Sequence, residues 1–161
     1  MCGIIGYIGN KKAQDILLTG LKRMEYRGYD SAGISTIELG AIQTTKSVGN
    51  VSVLVERLSA EKDLHRGTVG IGHTRWATHG EPSDINAHPH ISGKVSVVHN
   101  GIIENYAELK STLSQRGYSF MSETDTEVLA ALIDSEYSKE KTPSTALVNA
   151  LRRVRGTFGL A

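Results

Sequence analysis

The segment ISTIELGAIQTTKSV, residues 34–48, predicts an antiparallel β-hairpin. Its two halves, 34–38 and 41–48, are rich in Ile, Thr and Val, whose branched side chains favour extended strands. Only Leu39 and Gly40 separate them, which is the spacing of a two-residue hairpin turn. Strands joined by so short a turn pair antiparallel, so this segment indicates a sheet that contains antiparallel strands.

Further strands and helices are predicted on both sides of this hairpin. Short apolar runs predict strands at 4–8, 68–73, 94–99 and from Gly156 onward. Periodicity and capping residues predict helices at 10–25 with Asn10 as the cap, from Asn50, at 104–116, from the capping-box residue Thr124 and from Thr142. Because these elements do not follow a strict βαβ order, we expect an α+β fold with mostly antiparallel sheets.

The composition is that of an ordinary globular domain. Of the 161 residues, 39% are hydrophobic and 22% are charged, and the net charge is +1. This balance gives no indication of a nucleic-acid or membrane partner. No apolar run approaches the roughly 18 residues of a membrane span, and no secretory signal is visible. The single cysteine, Cys2, allows no internal disulfide, so we expect a cytoplasmic location.

The tetrapeptide Met1-Cys2-Gly3-Ile4 carries the first indication of chemistry. Removal of Met1 would leave Cys2 with a thiol and a free α-amine, whose reference pKa of about 7.7–8.0 leaves it partly unprotonated near neutral pH. The amine can then accept the proton of the thiol and later return a proton to a leaving group, so nucleophile and base belong to one residue. An ordinary buried cysteine is the alternative interpretation.

Residues 74–93 form a long segment without periodicity. Loops of this length are commonly functional, and this one is dense with Arg, Trp and His. The guanidinium of Arg75 is suited to holding a carboxylate. Thr78 and His79 are suited to polar contacts, and Trp76 is suited to covering a ligand. A structural Arg beside a core Trp is the alternative for the same residues.

Two later motifs supply a donor pair and a carboxylate. Asn100 and Gly101 follow the strand predicted at 94–99, and a side-chain amide beside a backbone N–H is suited to stabilising an oxyanion. Asn-Gly is also a common turn dipeptide. Asp125 lies at a predicted helix start, where the helix dipole favours a carboxylate. It is suited either to binding the α-amino group of an amino acid or to capping the helix without a ligand.

Taken in order, these motifs resemble those of the class II glutamine amidotransferases, which are N-terminal-nucleophile hydrolases. The resemblance rests on Cys2-Gly3-Ile4, 25–33 (EYRGYDSAG), 73–80 (HTRWATHG), 86–90 (NAHPH), 99–105 (HNGIIEN) and 122–127 (SETDTE). The forms of 26–33 and 74–80 are most similar to the glutamine–fructose-6-phosphate aminotransferases.

The resemblance implies a four-layer αββα sandwich and hydrolysis of the side-chain amide of L-glutamine, with no metal and no cofactor. Arg75 would hold the α-carboxylate of glutamine and Asp125 its α-ammonium group. The implied site consists of the catalytic residues Cys2, Asn100 and Gly101 and the substrate-binding residues Arg75, Trp76, Thr78, His79 and Asp125.

The resemblance also implies a larger enzyme. Residues 1–161 would be the N-terminal glutaminase part, and a sugar-isomerase domain of the same full-length chain would use its ammonia to convert fructose 6-phosphate to glucosamine 6-phosphate. The full-length enzyme is expected to be a homo-oligomer. Because the glutaminase domain of the family usually continues past residue 161, we expect a truncated form of the fold. A glutaminase serving another acceptor and a non-catalytic fragment are the alternatives.

The histidines raise a separate hypothesis. Five of the six lie within residues 73–99, and His88 and His90 have an H-x-H spacing, so metal binding is conceivable. No second thiol and no carboxylate at a recognised metal spacing accompany them. The sequence therefore favours histidines that order a polar loop by hydrogen bonding.

Overall fold

The computed structural model describes residues 2–27, 30–61, 64–76, 80–140 and 142–161. Its strands are β1 (Gly3–Ile8), β2 (Ser31–Glu38), β3 (Ala41–Val48), β4 (Val69–Arg75), β5 (His90–Ser92), β6 (Val95–Val97), β7 (His99–Ile103) and β8 (Gly156–Leu160). Its helices are α1 (Ala13–Met24), α2 (Val51–Ala60), α3 (Tyr106–Ser114), α4 (Asp125–Glu140) and α5 (Pro143–Leu151), and a short 3₁₀ helix, Glu25–Arg27, follows α1.

The predicted hairpin is confirmed as the pair β2 and β3. It forms one side of an antiparallel sheet with the strand order β1-β4-β2-β3. Leu39 and Gly40 have φ angles of 49° and 80°, which is the geometry that a two-residue hairpin turn requires at both central positions. Glycine adopts this geometry without steric cost.

Helices α1 and α2 cover one face of the four-stranded sheet. Side chains three or four residues apart on each helix are fully buried, as an amphipathic helix requires. They form one apolar core together with the β2 residues that point toward them: Ala13, Leu17, Leu21, Ala32, Ile34, Val51, Leu54 and Leu58.

A second core lies on the other side of the molecule. It is built around α4, whose apolar run from Val128 to Ile133 is buried against α3, α5 and the strands β6 and β7. The strand predicted from Gly156 onward is confirmed as β8, which pairs antiparallel with β7. Strands β5 and β6 form a second antiparallel pair beside it.

These elements form four layers. The hydroxyl of Ser96 in β6 donates a hydrogen bond to that of Ser35 in β2 at 2.8 Å, so the two strand layers meet between the two helical layers. The α+β, four-layer αββα arrangement implied by the resemblance is therefore confirmed. None of the helices in the described ranges has the length and apolar character that crossing a membrane requires.

Two predicted elements differ from the structure around the loop. The strand expected at 94–99 is interrupted at Val98, because the backbone of Val98 pairs with Ala161 while β6 pairs with β5. The segment 74–93, expected to lack secondary structure, begins within β4 and contains β5 near its end. His90 lies opposite Val97 in that pair. The interruption at Val98 arises from a partner distant in sequence, whereas β5 pairs with the neighbouring strand β6.

The predicted helix caps have mixed outcomes. Asn50 is confirmed, because its side chain accepts hydrogen bonds from the backbone N–H groups of Ser52 and Val53. The cap predicted at Asn10 is wrong, because α1 begins at Ala13. The backbone N–H of Ala13 donates instead to the carbonyl of Gly67 at 2.9 Å. A carbonyl from a neighbouring segment thus replaces the side-chain cap.

The capping box at the start of α4 is half formed. The hydroxyl of Thr124 accepts from the N–H of Glu127 at 3.4 Å. The carboxylate of Glu127 accepts from the N–H groups of Met121 and Ser122 rather than from that of Thr124. It therefore fixes the segment that leads into the helix.

Candidate active site

A cavity of about 450 Å³ lies where β1, β4, β7 and the start of α4 meet. Among the residues described, it brings together six of the eight predicted site residues: Cys2, Arg75, Trp76, Asn100, Gly101 and Asp125. Thr78 and His79 lie outside the described residues, as does Met1. Residues separated by more than a hundred positions in sequence thus line one concave surface.

Cys2 lies next to the end of β4 because β1 pairs with that strand, with Gly3 opposite Thr74. The N–H of Gly3 donates to the hydroxyl of Thr74 at 3.1 Å, which fixes the backbone beside the thiol. The N–H of Trp76 donates to Cys2 Sγ at 3.1 Å. Sγ also lies 3.7 Å from the carbonyl oxygen of Trp76, so the backbone of Trp76 holds the sulfur at the end of β4.

Arg75 is the last residue of β4 and is 5% exposed. Its Nη2 donates to the carbonyl of Gly80 at 3.2 Å, which orients the guanidinium within the cavity wall. Burial lowers the pKa of Arg75, and nearby acidic groups, including Asp125, act in the opposite direction. An arginine remains charged under all ordinary conditions, so Arg75 gives the cavity a fixed positive charge.

Asn100 in β7 lies between Cys2 and His73. Its Nδ2 donates to the carbonyl oxygen of Cys2 at 3.2 Å, and its Oδ1 is 2.8 Å from His73 Nε2. The side-chain amide is therefore held beside the residue that carries the thiol.

Gly101, next in β7, has a φ of 136°. A Cβ atom at this position would overlap the carbonyl oxygen of Thr157 in β8. Both the backbone angle and the close approach of β8 therefore require glycine here. The pairing of β7 with β8 fixes the backbone of Gly101 where it lines the cavity.

Asp125 is the first residue of α4, and its side chain is 24% exposed. Its Oδ2 accepts from the N–H of Ile103 at 2.8 Å, so the strand β7 orients the carboxylate. Its Oδ1 is 3.7 Å from His99 Nδ1. Among the residues that the structure describes, Asp125 and Glu123 are the carboxylates that line the cavity together with Arg75. Fixed charges of both signs in one cavity complement a zwitterionic ligand such as an amino acid.

The buried histidines beside the cavity are neutral. Burial lowers the pKa of His73 to about 4 and that of His90 to about 3. Burial, together with its histidine neighbours, also keeps the pKa of His88 well below its usual range. For His99, burial lowers the pKa although Asp125 opposes the shift. Near neutral pH these rings therefore act as hydrogen-bonding groups without charge.

Threonine hydroxyls are the partners of most of these rings. Thr126 Oγ1 contacts His88 Nε2 at 2.8 Å and His99 Nδ1 at 3.0 Å, and Thr124 Oγ1 contacts His90 Nε2 at 3.0 Å. Within the part of the chain that the structure describes, no three His, Cys, Asp or Glu side chains are grouped as metal ligands. The hydrogen bonds of His88, His90 and His99 connect the segment 88–99 to the start of α4.

Trp76 lies at the mouth of the cavity with its side chain half exposed. Sequence reasoning did not single out several residues that also line the cavity, among them His73, Glu123 and Tyr106. The place of His73 in the cavity wall could have been predicted, because alternate residues of a strand share a face and His73 precedes Arg75 by two positions. The place of Tyr106 could not, since only the fold brings the start of α3 to this surface.

A glutamine amidotransferase domain is the class that the fold and the cavity define. The family model of that description matches residues 73–161, more than half of the chain. The chain therefore belongs to the glutamine amidotransferase domain family.

Curated relatives narrow this class. The chain is 56% identical to the glutamine–fructose-6-phosphate aminotransferase (isomerizing) of Caldanaerobacter subterraneus over 99% of its length, which is 26% of that relative. It is 52% identical to the enzyme of the same name from Thermococcus kodakarensis, of which it covers 27%. The chain thus spans about a quarter of the length of these relatives.

A solved structure supports the fold assignment. The glutamine phosphoribosylpyrophosphate amidotransferase of B. subtilis, complexed with ADP and GMP, superposes with a TM-score of 0.82 at 28% identity. The similarity covers 99% of this chain and 34% of the other.

Proposed function

We propose that this chain hydrolyses L-glutamine to glutamate and ammonia, with Cys2 as the nucleophile. One observation carries the proposal. The sulfur of Cys2 lines a cavity in which a backbone N–H contacts it at 3.1 Å, and the amide of Asn100 is held beside the same residue. Nucleophile and oxyanion donor are the two groups that acyl transfer requires.

Charge complementarity explains why the substrate would be an amino acid. The guanidinium of Arg75 is suited to the α-carboxylate of glutamine, because it presents paired donors. The carboxylate of Asp125 is suited to the α-ammonium group. With both ends held, the side-chain amide is directed toward Cys2. Trp76, with Thr78 and His79, would close over the bound substrate.

The reaction would proceed through a thioester. The sulfur of Cys2 bonds to the amide carbon of glutamine, and the negative charge that develops on oxygen is stabilised by Asn100 Nδ2 and the N–H of Gly101. The α-amine of Cys2 accepts the thiol proton and returns a proton to the leaving nitrogen. The C–N bond breaks and ammonia leaves. Water then attacks the thioester, releasing glutamate and restoring the thiol.

This base is available only if Met1 is removed, because a retained Met1 converts the α-amine of Cys2 into an amide. An amide nitrogen does not accept a proton near neutral pH. We therefore expect the form that retains Met1 to be inactive.

Release of glutamate from L-glutamine by the Met1-free chain tests the proposal. We expect turnover that Cys2→Ala abolishes. Asparagine is a matched control substrate, since its side chain is one methylene shorter and its amide cannot reach Cys2 while Arg75 and Asp125 hold the α-groups. Absence of glutamate would refute the assignment and favour a non-catalytic domain, and equal turnover by Cys2→Ala would exclude Cys2 as the nucleophile.

We also propose that residues 1–161 are the ammonia-supplying part of an enzyme that makes glucosamine 6-phosphate from fructose 6-phosphate. The identities of 52–56% to enzymes named for this reaction support it. A sugar-isomerase domain would then be the partner of this domain, in a homo-oligomeric enzyme. The test is a fusion of this chain to the remaining three quarters of the Caldanaerobacter relative. Formation of glucosamine 6-phosphate from glutamine is expected, and its absence in a fusion that still releases glutamate would contradict this assignment.

A further inference from the structure

The side-chain amide of Asn100 can occupy this position in only one orientation. On one side it contacts the carbonyl oxygen of Cys2 at 3.2 Å, and a carbonyl oxygen can only accept a hydrogen bond. The atom of Asn100 that faces Cys2 must therefore be the donor Nδ2. It follows that Oδ1 faces the opposite side, where His73 Nε2 lies at 2.8 Å.

The orientation of Asn100 determines which nitrogen of His73 carries the proton. An amide oxygen has no hydrogen to donate, so His73 Nε2 must carry one. His73 is 1% exposed, and burial lowers its pKa to about 4. The ring is therefore neutral near neutral pH and has a single N–H. Only the tautomer protonated at Nε2 is compatible with the observed orientation of Asn100.

We propose that His73 is a positioning residue for the glutaminase reaction: its Nε2–H holds the side-chain amide of Asn100 with the NH₂ group toward Cys2. This inference rests on the proposed function, because it presupposes that Asn100 Nδ2 donates to the oxyanion. Without the donor on His73, only the hydrogen bond from Asn100 Nδ2 to the carbonyl oxygen of Cys2 opposes a half-turn of the amide. After such a half-turn, the oxygen of Asn100 would face the developing negative charge.

The expected kinetic effect is that of losing one oxyanion donor. Such a loss reduces kcat by about 10²–10³-fold. His73→Phe removes the donor while keeping a planar buried ring. It should lower kcat by about this factor with little change in the KM for glutamine, since Arg75 and Asp125 are untouched. His73→Gln retains an N–H donor and should lose several-fold less.

A double-mutant cycle separates positioning from structural damage. If His73 acts through Asn100, then adding His73→Phe to Asn100→Ala should cause little further loss of kcat. His65→Phe is the matched control: His65 is also fully buried and bonded to Thr36 and Thr45, away from the cavity. It should lower stability without lowering kcat. Multiplicative losses for His73→Phe and Asn100→Ala would overturn the inference.

A second measurement requires neither turnover nor a variant. Nitrogen NMR of the wild-type imidazole rings near neutral pH identifies which nitrogen of His73 carries the proton. Protonation at Nε2 is expected. Protonation at Nδ1, or a charged ring, would overturn the inference even if the chain hydrolyses glutamine normally. If the chain instead releases no glutamate but His73 is protonated at Nε2, the proposed function fails while the assigned hydrogen bond stands.

Discussion

Acid should destabilise this protein strongly because its histidines are buried in the neutral form. The pKa of His73 is about 4 and that of His90 about 3 in the folded state, against an ordinary value of 6.5. Each ring therefore binds fewer protons when folded than when unfolded, and lowering the pH favours the unfolded chain. The stabilisation is fully present above the unfolded pKa and is lost as the pH falls from there toward the folded pKa.

The magnitude follows from these values. At about pH 5 each of the two histidines is almost fully protonated in the unfolded chain and mostly neutral in the folded one. This costs about 2 kcal/mol per ring, or about 4 kcal/mol for both, relative to about pH 8. Burial also lowers the pKa of His65, His88 and His99, which acts in the same direction. Since folded domains are stable by roughly 5–15 kcal/mol, the loss is a large fraction of the total.

Urea unfolding at about pH 8 and pH 5 measures this loss, and His90→Gln isolates one ring. The variant loses the hydrogen bond to Thr124 at both pH values, so the packing effect cancels in the comparison. The difference in unfolding free energy between the two pH values should be smaller in the variant by about 2 kcal/mol. An equal pH dependence in the variant and the wild type would mean that His90 is not buried in the neutral form.

Three further predictions concern single residues. Arg75→Ala and Asp125→Ala should each raise the KM for glutamine by about 10–150-fold, since a hydrogen bond to a charged group contributes about 1.5–3 kcal/mol. An unchanged KM in steady-state kinetics would exclude that residue from substrate binding. Gly101→Ala should lower the thermal unfolding temperature, because the positive φ and the contact with Thr157 reduce the free energy of unfolding by about 2 kcal/mol or more. An unchanged temperature would mean that β8 can move away. Asn50→Ala should lower the free energy of unfolding in urea by about 1 kcal/mol. Asn50→Asp keeps the accepting oxygen and should stay close to the wild type. Equal losses of stability in the two variants would show that the side chain of Asn50 does not cap α2.

Features that depend on adjacent residues could be predicted from the sequence. The turn at Leu39 and Gly40 and the cap at Asn50 are local devices, because each is satisfied by atoms within a few positions along the chain. The same reasoning failed at Asn10, where a carbonyl from Gly67 takes over the capping role. Neighbouring residues show which side chain could cap a helix. They do not show that folding brings a backbone carbonyl from another segment to the same N–H group.

The candidate site likewise contains residues that could be predicted from the sequence and contacts that could not. Cys2, Arg75 and Asp125 were predicted because their chemistry can be recognised from residue type and position. The contact of His73 with Asn100 could not be predicted, because it depends on the distance between β4 and β7, which are not paired with each other. The interruption at Val98 also depends on a distant partner, Ala161. Long-range packing, rather than periodicity or composition, decides these features.

Intact mass before and after incubation with a diazo-ketone analogue of glutamine shows whether Cys2 is a competent N-terminal nucleophile. We expect a chain that lacks Met1 and gains one adduct on Cys2, with labelling slowed by glutamine and abolished in Cys2→Ala. A chain that lacks Met1 and gains no adduct would contradict the claim that the cavity holds a competent N-terminal nucleophile.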